Sequence, residues 1–197
     1  MKDEQTLDYY NRQAATYGSV APSGNFVVYR DRFGQKLPRG AKVLDLGCGG
    51  GHAALAFLSQ GFAVTALDGS PALAQVAAER TGLDVVVSDF ADIDYQAEFQ
   101  GIWAAASLTH VPYEHLADIL VRIRQALQPT GLLVASFKRA DQPWRDQHGR
   151  LFSALSAESL HQVVEQAGLR VEAIDTVPGK SQETEWIWLF ARQVNPG

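Results

Sequence analysis

The residue order predicts an α/β fold of three layers, built on a seven-stranded, mostly parallel sheet whose last strand is antiparallel. Three observations carry that expectation. β-rich runs alternate with helical segments from residue 42 to residue 137, the rhythm of a parallel sheet with helices on both faces. Glycines at 47, 49, 50 and 51 follow the first run, where a strand must turn sharply into a helix. The two final strand-like runs, Arg170–Val177 and Glu185–Arg192, are joined by PGKSQET, which holds no helix, so they pair as an antiparallel hairpin.

The elements follow in order. Residues 3–16 form a polar helix with Leu7, Tyr10 and Ala14 on one side, and a short helix carries Phe26, Tyr29, Arg30 and Phe33. Pro38 and Gly40 close this lead-in. Lys42–Leu46 is a strand, and the helix His52–Gln60 is stopped by Gly61. Ala63–Leu67 is the next strand, and Pro71 opens a helix to Arg80, a position that suits proline. Strands at Asp84–Ser88, Gly101–Ala106 and Gly131–Phe137 bracket a helix from Pro112 to Leu127. A last helix, Ala157–Gln166, ends at Gly168. Trp186–Ala191 is apolar on both alternating faces, which places that strand inside the sheet rather than at an edge.

Composition narrows the class. The 197 residues carry 17 Lys and Arg against 22 Asp and Glu, a net charge of −5, which argues against nucleic acid as a partner because such proteins leave a basic footprint. No run reaches the roughly 20 apolar residues of a membrane span, and the polar, acidic start lacks the plan of a secretion signal. A cytoplasmic location is the expectation. A lone cysteine, Cys48, excludes an internal disulfide.

The glycine turn defines a candidate site. Asp45 precedes it, and Asp68 ends the next strand 19 residues after Gly49, where a carboxylate can take both hydroxyls of a ribose. A dinucleotide would lay its pyrophosphate on this turn. The negative charge of Asp45 opposes that and favours a ligand with an ammonium and a sulfonium. His52 also stands where a dinucleotide fingerprint needs its third glycine.

VLDLGCGGG, then LDGSPALAQVA, then VVVSDFAD resemble the successive cofactor motifs of class I S-adenosylmethionine-dependent methyltransferases, over residues 40–193. The resemblance implies the three-layer Rossmann-like methyltransferase fold and its strand order, within one domain (1–197) whose residues 1–39 supply lid helices. It implies S-adenosylmethionine as cofactor, with Gly47 and Gly49 passing its methionine part and Cys48 in the same turn. Asp45 would orient its amino group, with Ser107 nearby, and Asp68 would hold the ribose. Gly69 and Ser70 would lie beside the adenine, and Asp89 and the Phe90 N–H would read its edge. Tyr17 would fold over the cofactor from the first helix, and Tyr10 lies in the same stretch.

Plainer roles stand beside these. Asp68 can cap the helix at Pro71, and Asp89 can serve as a helix-start acid. Cys48 can be a small residue that fits the turn, and Tyr17 can simply pack its helix onto the body. His110, after the fourth strand, lines the site, acts as a base, or seats the helix at Pro112. Ser107–Pro112 lacks the Asn/Asp-Pro-Pro-aromatic motif of enzymes that methylate adenine or glutamine amides. The loop KRADQPWRDQHGRLF, at 138–152, either binds a flat or acidic acceptor or holds its own shape through Arg145, Asp146 and Arg150. With no added macromolecule-binding domain, a small-molecule methyl acceptor is expected. Rivals are a protein- or RNA-directed methyltransferase, a non-catalytic binding module and an NAD-dependent oxidoreductase. The residues select neither the acceptor nor an oligomeric state.

Overall fold

The computed structural model describes residues 3–22, 24–179 and 184–194. Its α-helices are α1 (Glu4–Ser19), α2 (Gly24–Gln35), α3 (His52–Ser59), α4 (Pro71–Thr81), α5 (Tyr113–Ala126) and α6 (Ala157–Gln166). Its strands are β1 (Lys42–Leu46), β2 (Ala63–Asp68), β3 (Val86–Val87), β4 (Phe99–Ala105), β5 (Leu127–Lys138), β6 (Trp144–Arg145), β7 (Leu151–Phe152), β8 (Leu169–Pro178) and β9 (Glu185–Gln193). Seven strands form one sheet in the order β3-β2-β1-β4-β5-β9-β8, and β6 pairs with β7 in a separate hairpin. Within the sheet only β9 runs antiparallel, to β5 on one side and β8 on the other. It is an interior strand, as its two apolar faces require.

Strand alternation sorts the core into two layers. Leu44, Ile102, Leu133 and Ala191 stand in register across four strands and face the apolar stripes of α5 (Leu116, Ile119, Leu120, Ile123) and α6 (Leu160, Val163, Val164). The next row is Asp45, Trp103, Val134 and Phe190; its apolar members pack with Tyr29 and Phe33 of α2 and Phe57 of α3. Asp45 is thus the one carboxylate in an otherwise apolar row.

Strand order reverses between β1 and β4. The chain leaves β1 towards β2 and later returns to the opposite side, opening a crevice at the carboxyl edge of the sheet, where such folds bind ligands.

Four expectations shift. The third strand shrinks from Asp84–Ser88 to two exposed residues, because only Val86 and Val87 pair with β2 at the sheet edge. The first helix runs on to Ser19, held by packing against α4 and the glycine turn. The fifth strand begins at Leu127, directly after α5. The loop 138–152 contains the β6–β7 hairpin, and Arg145 pairs with Asp3 at 2.6 Å rather than with Asp146, fixing the loop to the start of α1. That pairing holds the Asp3 carboxyl well below the usual carboxylate range.

Candidate active site

The glycine turn is shaped by its own backbone. Gly47 and Cys48 N–H both donate to the Leu67 carbonyl, at 2.7 and 2.9 Å, tying the turn to the end of β2. Gly47 has φ +75°, and a Cβ there would lie 2.3 Å from Ser107 Cβ. At Gly50 a Cβ would come within 2.6 Å of the Gly18 backbone, so the end of α1 rests directly on the turn. His52 Nε2 donates to the Gly18 carbonyl at 2.9 Å, and Arg80 Nη2 adds a second bond to the same oxygen.

Two buried carboxylates flank the turn. Asp45 is 2% exposed, and its Oδ2 has no hydrogen-bond partner among the described residues. Burial raises its pKa to about 7, against a single backbone N–H, from Ala54, that favours the charged form. Asp68 accepts from Gly49 N–H and from Ser70 N–H, both at 2.8 Å, and burial raises its pKa as well. Neither acid forms an ion pair among the described residues. A carboxylate has about four lone-pair positions, so each keeps capacity for a donor or cation that enters beside it.

A cavity of about 120 Å³ runs from this turn along the sheet edge, lined by Tyr17, Gly47, Gly49, Asp68, Gly69, Asp89, Phe90, Ser107 and His110 among others. Nine of the twelve residues named from sequence therefore meet here. Asp89 caps the single helical turn Phe90–Asp92, accepting from Ala91 N–H at 3.0 Å. Ser107 Oγ donates to the Leu46 carbonyl at 2.7 Å. Ser70 does not reach the lining: fully buried, it caps α4 by accepting from Leu73 N–H and donates to Asn11 Oδ1 at 2.6 Å. Asp45 and Cys48 line an adjoining cavity of about 760 Å³ that shares Tyr10, Tyr17, Gly47, Gly49 and His110 with the first. Burial pushes the Cys48 thiol pKa up, which suits a packing role and not a nucleophilic one.

α1 lies over this edge. Leu7 rests on Gly69, Tyr17 on Gly49, and Asn11 on Ser70. Tyr10, one turn further along, meets Tyr17 edge to face at 4.9 Å and bonds His110 Nε2 at 2.9 Å. The other ring nitrogen, Nδ1, contacts the Leu151 carbonyl at 2.5 Å. A carbonyl only accepts, so Nδ1 carries the proton and Nε2 accepts from the Tyr10 hydroxyl. Burial lowers the His110 pKa to about 4, which keeps this neutral tautomer at neutral pH.

The larger cavity adds sheet and α2 residues that sequence reasoning did not name for the site to the 138–152 stretch that it did. Ser136, Trp103, Phe26, Trp186 and Trp188 line it, with Lys138, Arg150 and Phe152 from the 138–152 stretch. Trp186 and Trp188 sit two apart on β9 and share a face, a pattern visible in sequence. What they face depends on β9 slotting between β5 and β8. Ala106, at the mouth, has φ +56° and donates its N–H to Ser136 Oγ at 2.9 Å.

Comparison with known proteins places this arrangement. A trans-aconitate 2-methyltransferase of Mycobacterium tuberculosis (strain H37Ra) is 40% identical over 95 residues, covering 47% of this chain and 35% of that protein. The chain thus matches about a third of the length of that relative. A ubiquinone biosynthesis O-methyltransferase of Pasteurella multocida is 29% identical over 159 residues, 68% of this chain and 64% of that one. In fold, the chain resembles the 1,6-didemethyltoxoflavin-N1-methyltransferase of Burkholderia thailandensis, solved with 1,6-didemethyltoxoflavin and S-adenosylhomocysteine. Its TM-score is 0.77 at 23% identity, over 97% of this chain and 88% of that one. Residues 27–174 match the family model described as a methyltransferase domain, and with the fold and the glycine turn already in place the chain belongs to the class I S-adenosylmethionine-dependent methyltransferases.

Proposed function

We propose that this chain transfers the methyl group of S-adenosylmethionine to a small-molecule acceptor by in-line displacement. The observation that carries this reading is the pair of buried carboxylates without cation partners set around the glycine turn, Asp68 on the smaller cavity and Asp45 on the adjoining larger one with its aromatic wall. An orphaned buried carboxylate oxygen fits an ammonium and opposes a diphosphate. The small molecules named for two of the relatives support a small acceptor.

In this reading S-adenosylmethionine supplies a methyl carbon already activated by its sulfonium. The chain binds, orients and keeps out water. Asp45 holds the ammonium, with Ser107 beside it, and Asp68 takes the ribose hydroxyls. Gly47 and Gly49 let the ligand lie on the backbone, where Cys48 fills the turn. Gly69 lies along the adenine, and Asp89 and Phe90 read its edge. Ser70 acts from behind by capping α4. Tyr17 and the rest of α1 close over the top as a lid.

His110 acts through Tyr10. By accepting the Tyr10 hydrogen bond it leaves the phenol oxygen, which also receives Arg150 Nη1 at 3.4 Å, as an acceptor towards the cavity. It is a positioning residue in this account. His110→Ala should lower kcat about 10- to 100-fold while S-adenosylhomocysteine affinity changes little, and His110→Gln should recover part of the loss. Because its pKa sits near 4, the wild-type rate should show no limb near pH 6.5 that disappears in His110→Gln. Such a limb, or a wild-type kcat in His110→Ala, would remove this role.

The function itself is tested by incubating the protein with methyl-labelled S-adenosylmethionine and a cell extract resolved into small-molecule, RNA and protein fractions. Label should enter the small-molecule fraction. Label found only in protein or RNA would overturn the small acceptor, and no transfer despite tight S-adenosylhomocysteine binding would leave a binding module.

A further inference from the structure

Lys138 ends β5 on the wall of the larger cavity. Its Nζ stands 4.1 Å from the Phe152 ring centre, 5.2 Å from Trp144 and 5.9 Å from Trp186. It forms no ion pair among the described residues, and Asp146 and Glu185 are already held by arginines. Asp146 Oδ2 is gripped by Arg150 Nη2 and Nε at 2.6 and 2.8 Å. On the neighbouring strand, Glu185 is held by Arg139 at 3.0 Å. Burial and the Arg150 charge lower the Lys138 pKa, and the Asp146 charge offsets this only in part.

The cavity is therefore polarised. Asp45 lines it at the glycine turn, with Asp68 in the adjoining smaller cavity, and Lys138 lines it as a cation without an ion-pair partner among the described residues. Between them the walls are rings: Tyr10, Phe152, Trp186 and Trp188. Trp188 adds a second observation, because its buried indole N–H has no acceptor among the described residues. A buried donor without a partner costs free energy that a ligand oxygen or water would recover.

We propose that the acceptor is a planar aromatic or conjugated monocarboxylate, and that Lys138 pairs with its carboxylate while the rings stack on its plane. This rests on the methyl-transfer reading above. A cation would be repelled by Lys138 and Arg150 together. A phosphate dianion would call for a free guanidinium fork, and the fork of Arg150 is spent on Asp146. A single negative charge matches the single free ammonium, and flat apolar area matches the rings.

The test is calorimetric titration of the S-adenosylhomocysteine-saturated protein with trans-cinnamate and with trans-cinnamamide, which share one shape and differ in charge. Cinnamate should bind about tenfold or more tighter than the amide. The ratio should fall to within about twofold in Lys138→Gln and persist in Lys138→Arg. S-adenosylhomocysteine affinity in Lys138→Gln should match the wild type and so report an intact fold. Equal affinities in the wild type, no binding by either probe, or a preference that survives Lys138→Gln overturns the inference while leaving methyl transfer standing. Failure of S-adenosylhomocysteine to bind the wild type overturns both.

Discussion

Asp68→Ala should weaken S-adenosylhomocysteine binding by about a hundredfold or more while the fold survives. Two hydrogen bonds from ribose hydroxyls to a charged acceptor contribute about 1.5–3 kcal/mol each, and every 1.4 kcal/mol is about tenfold in affinity. The substitution also strips the acceptor from Gly49 N–H and Ser70 N–H, loosening the turn on which the ligand lies. The cost to the fold is offset in part, because burial already disfavours the Asp68 charge, as its raised pKa records. Calorimetry gives the affinity and a urea midpoint gives the stability. An unchanged affinity would reject the ribose role and leave Asp68 as a brace for the turn and for α4.

Gly47→Ala should cost more in the fold. At φ +75° an L side chain is strained by about 1–2 kcal/mol. The new Cβ would sit 2.3 Å from Ser107 Cβ and 3.3 Å from Phe90 Cζ, and relieving such an overlap by moving backbone costs about 1–3 kcal/mol more. The expected loss is about 2–5 kcal/mol of unfolding free energy, read as a lower urea midpoint, with cofactor binding lost because the turn and the Ser107 segment move apart. Adding Ser107→Gly removes the overlap but not the strained φ, so the double variant should recover part of the stability. A single variant that binds and unfolds like the wild type would show that the turn tolerates a side chain, against the close packing seen here.

What was legible in the sequence was local. The glycine turn, the acids at 45 and 68, and the antiparallel pairing of the last two strands depend on residues within one strand–turn–helix or one hairpin. Turn chemistry and strand alternation fix these without knowledge of the rest of the chain. The apolar double face of β9 revealed an interior strand for the same reason. Three features were hidden because they depend on distant segments meeting. Tyr10 and His110 are 100 residues apart and meet through the way α1 crosses the sheet edge. Ser70 reads as a ligand contact until Asn11 of α1 takes its hydroxyl. Lys138, Phe152 and Trp186 come from three strands, and no spacing in the chain announces their cluster. In the 138–152 stretch the shape-holding pairs are Arg145 with Asp3 and Arg150 with Asp146, and Lys138 and Arg150 also line the larger cavity.

The electrostatics of Asp45 set a direction with pH. In the folded chain its pKa is raised to about 7 from 3.8, so between these values the folded state keeps a proton that the unfolded chain has lost. Burial of Asp45 therefore costs stability increasingly as pH rises through that window. A ligand ammonium beside the orphaned Oδ2 reverses the balance: it favours the charged carboxylate and expels the proton on binding. Affinity should then be full above about pH 7 and fall as pH drops below it. Below pH 7 the amino group of the ligand stays mostly protonated, since an α-amino group titrates at about 7.7–8.0.

Calorimetric titration with S-adenosylhomocysteine and with NAD, from pH 5.5 to 8, weighs this most directly. S-adenosylhomocysteine should bind with proton release and lose affinity by up to about tenfold per unit below pH 7; that slope should vanish in Asp45→Asn, and NAD should not bind. Tight NAD binding, or a flat S-adenosylhomocysteine profile that Asp45→Asn leaves untouched, would contradict the selection of a cationic nucleoside by this buried carboxylate.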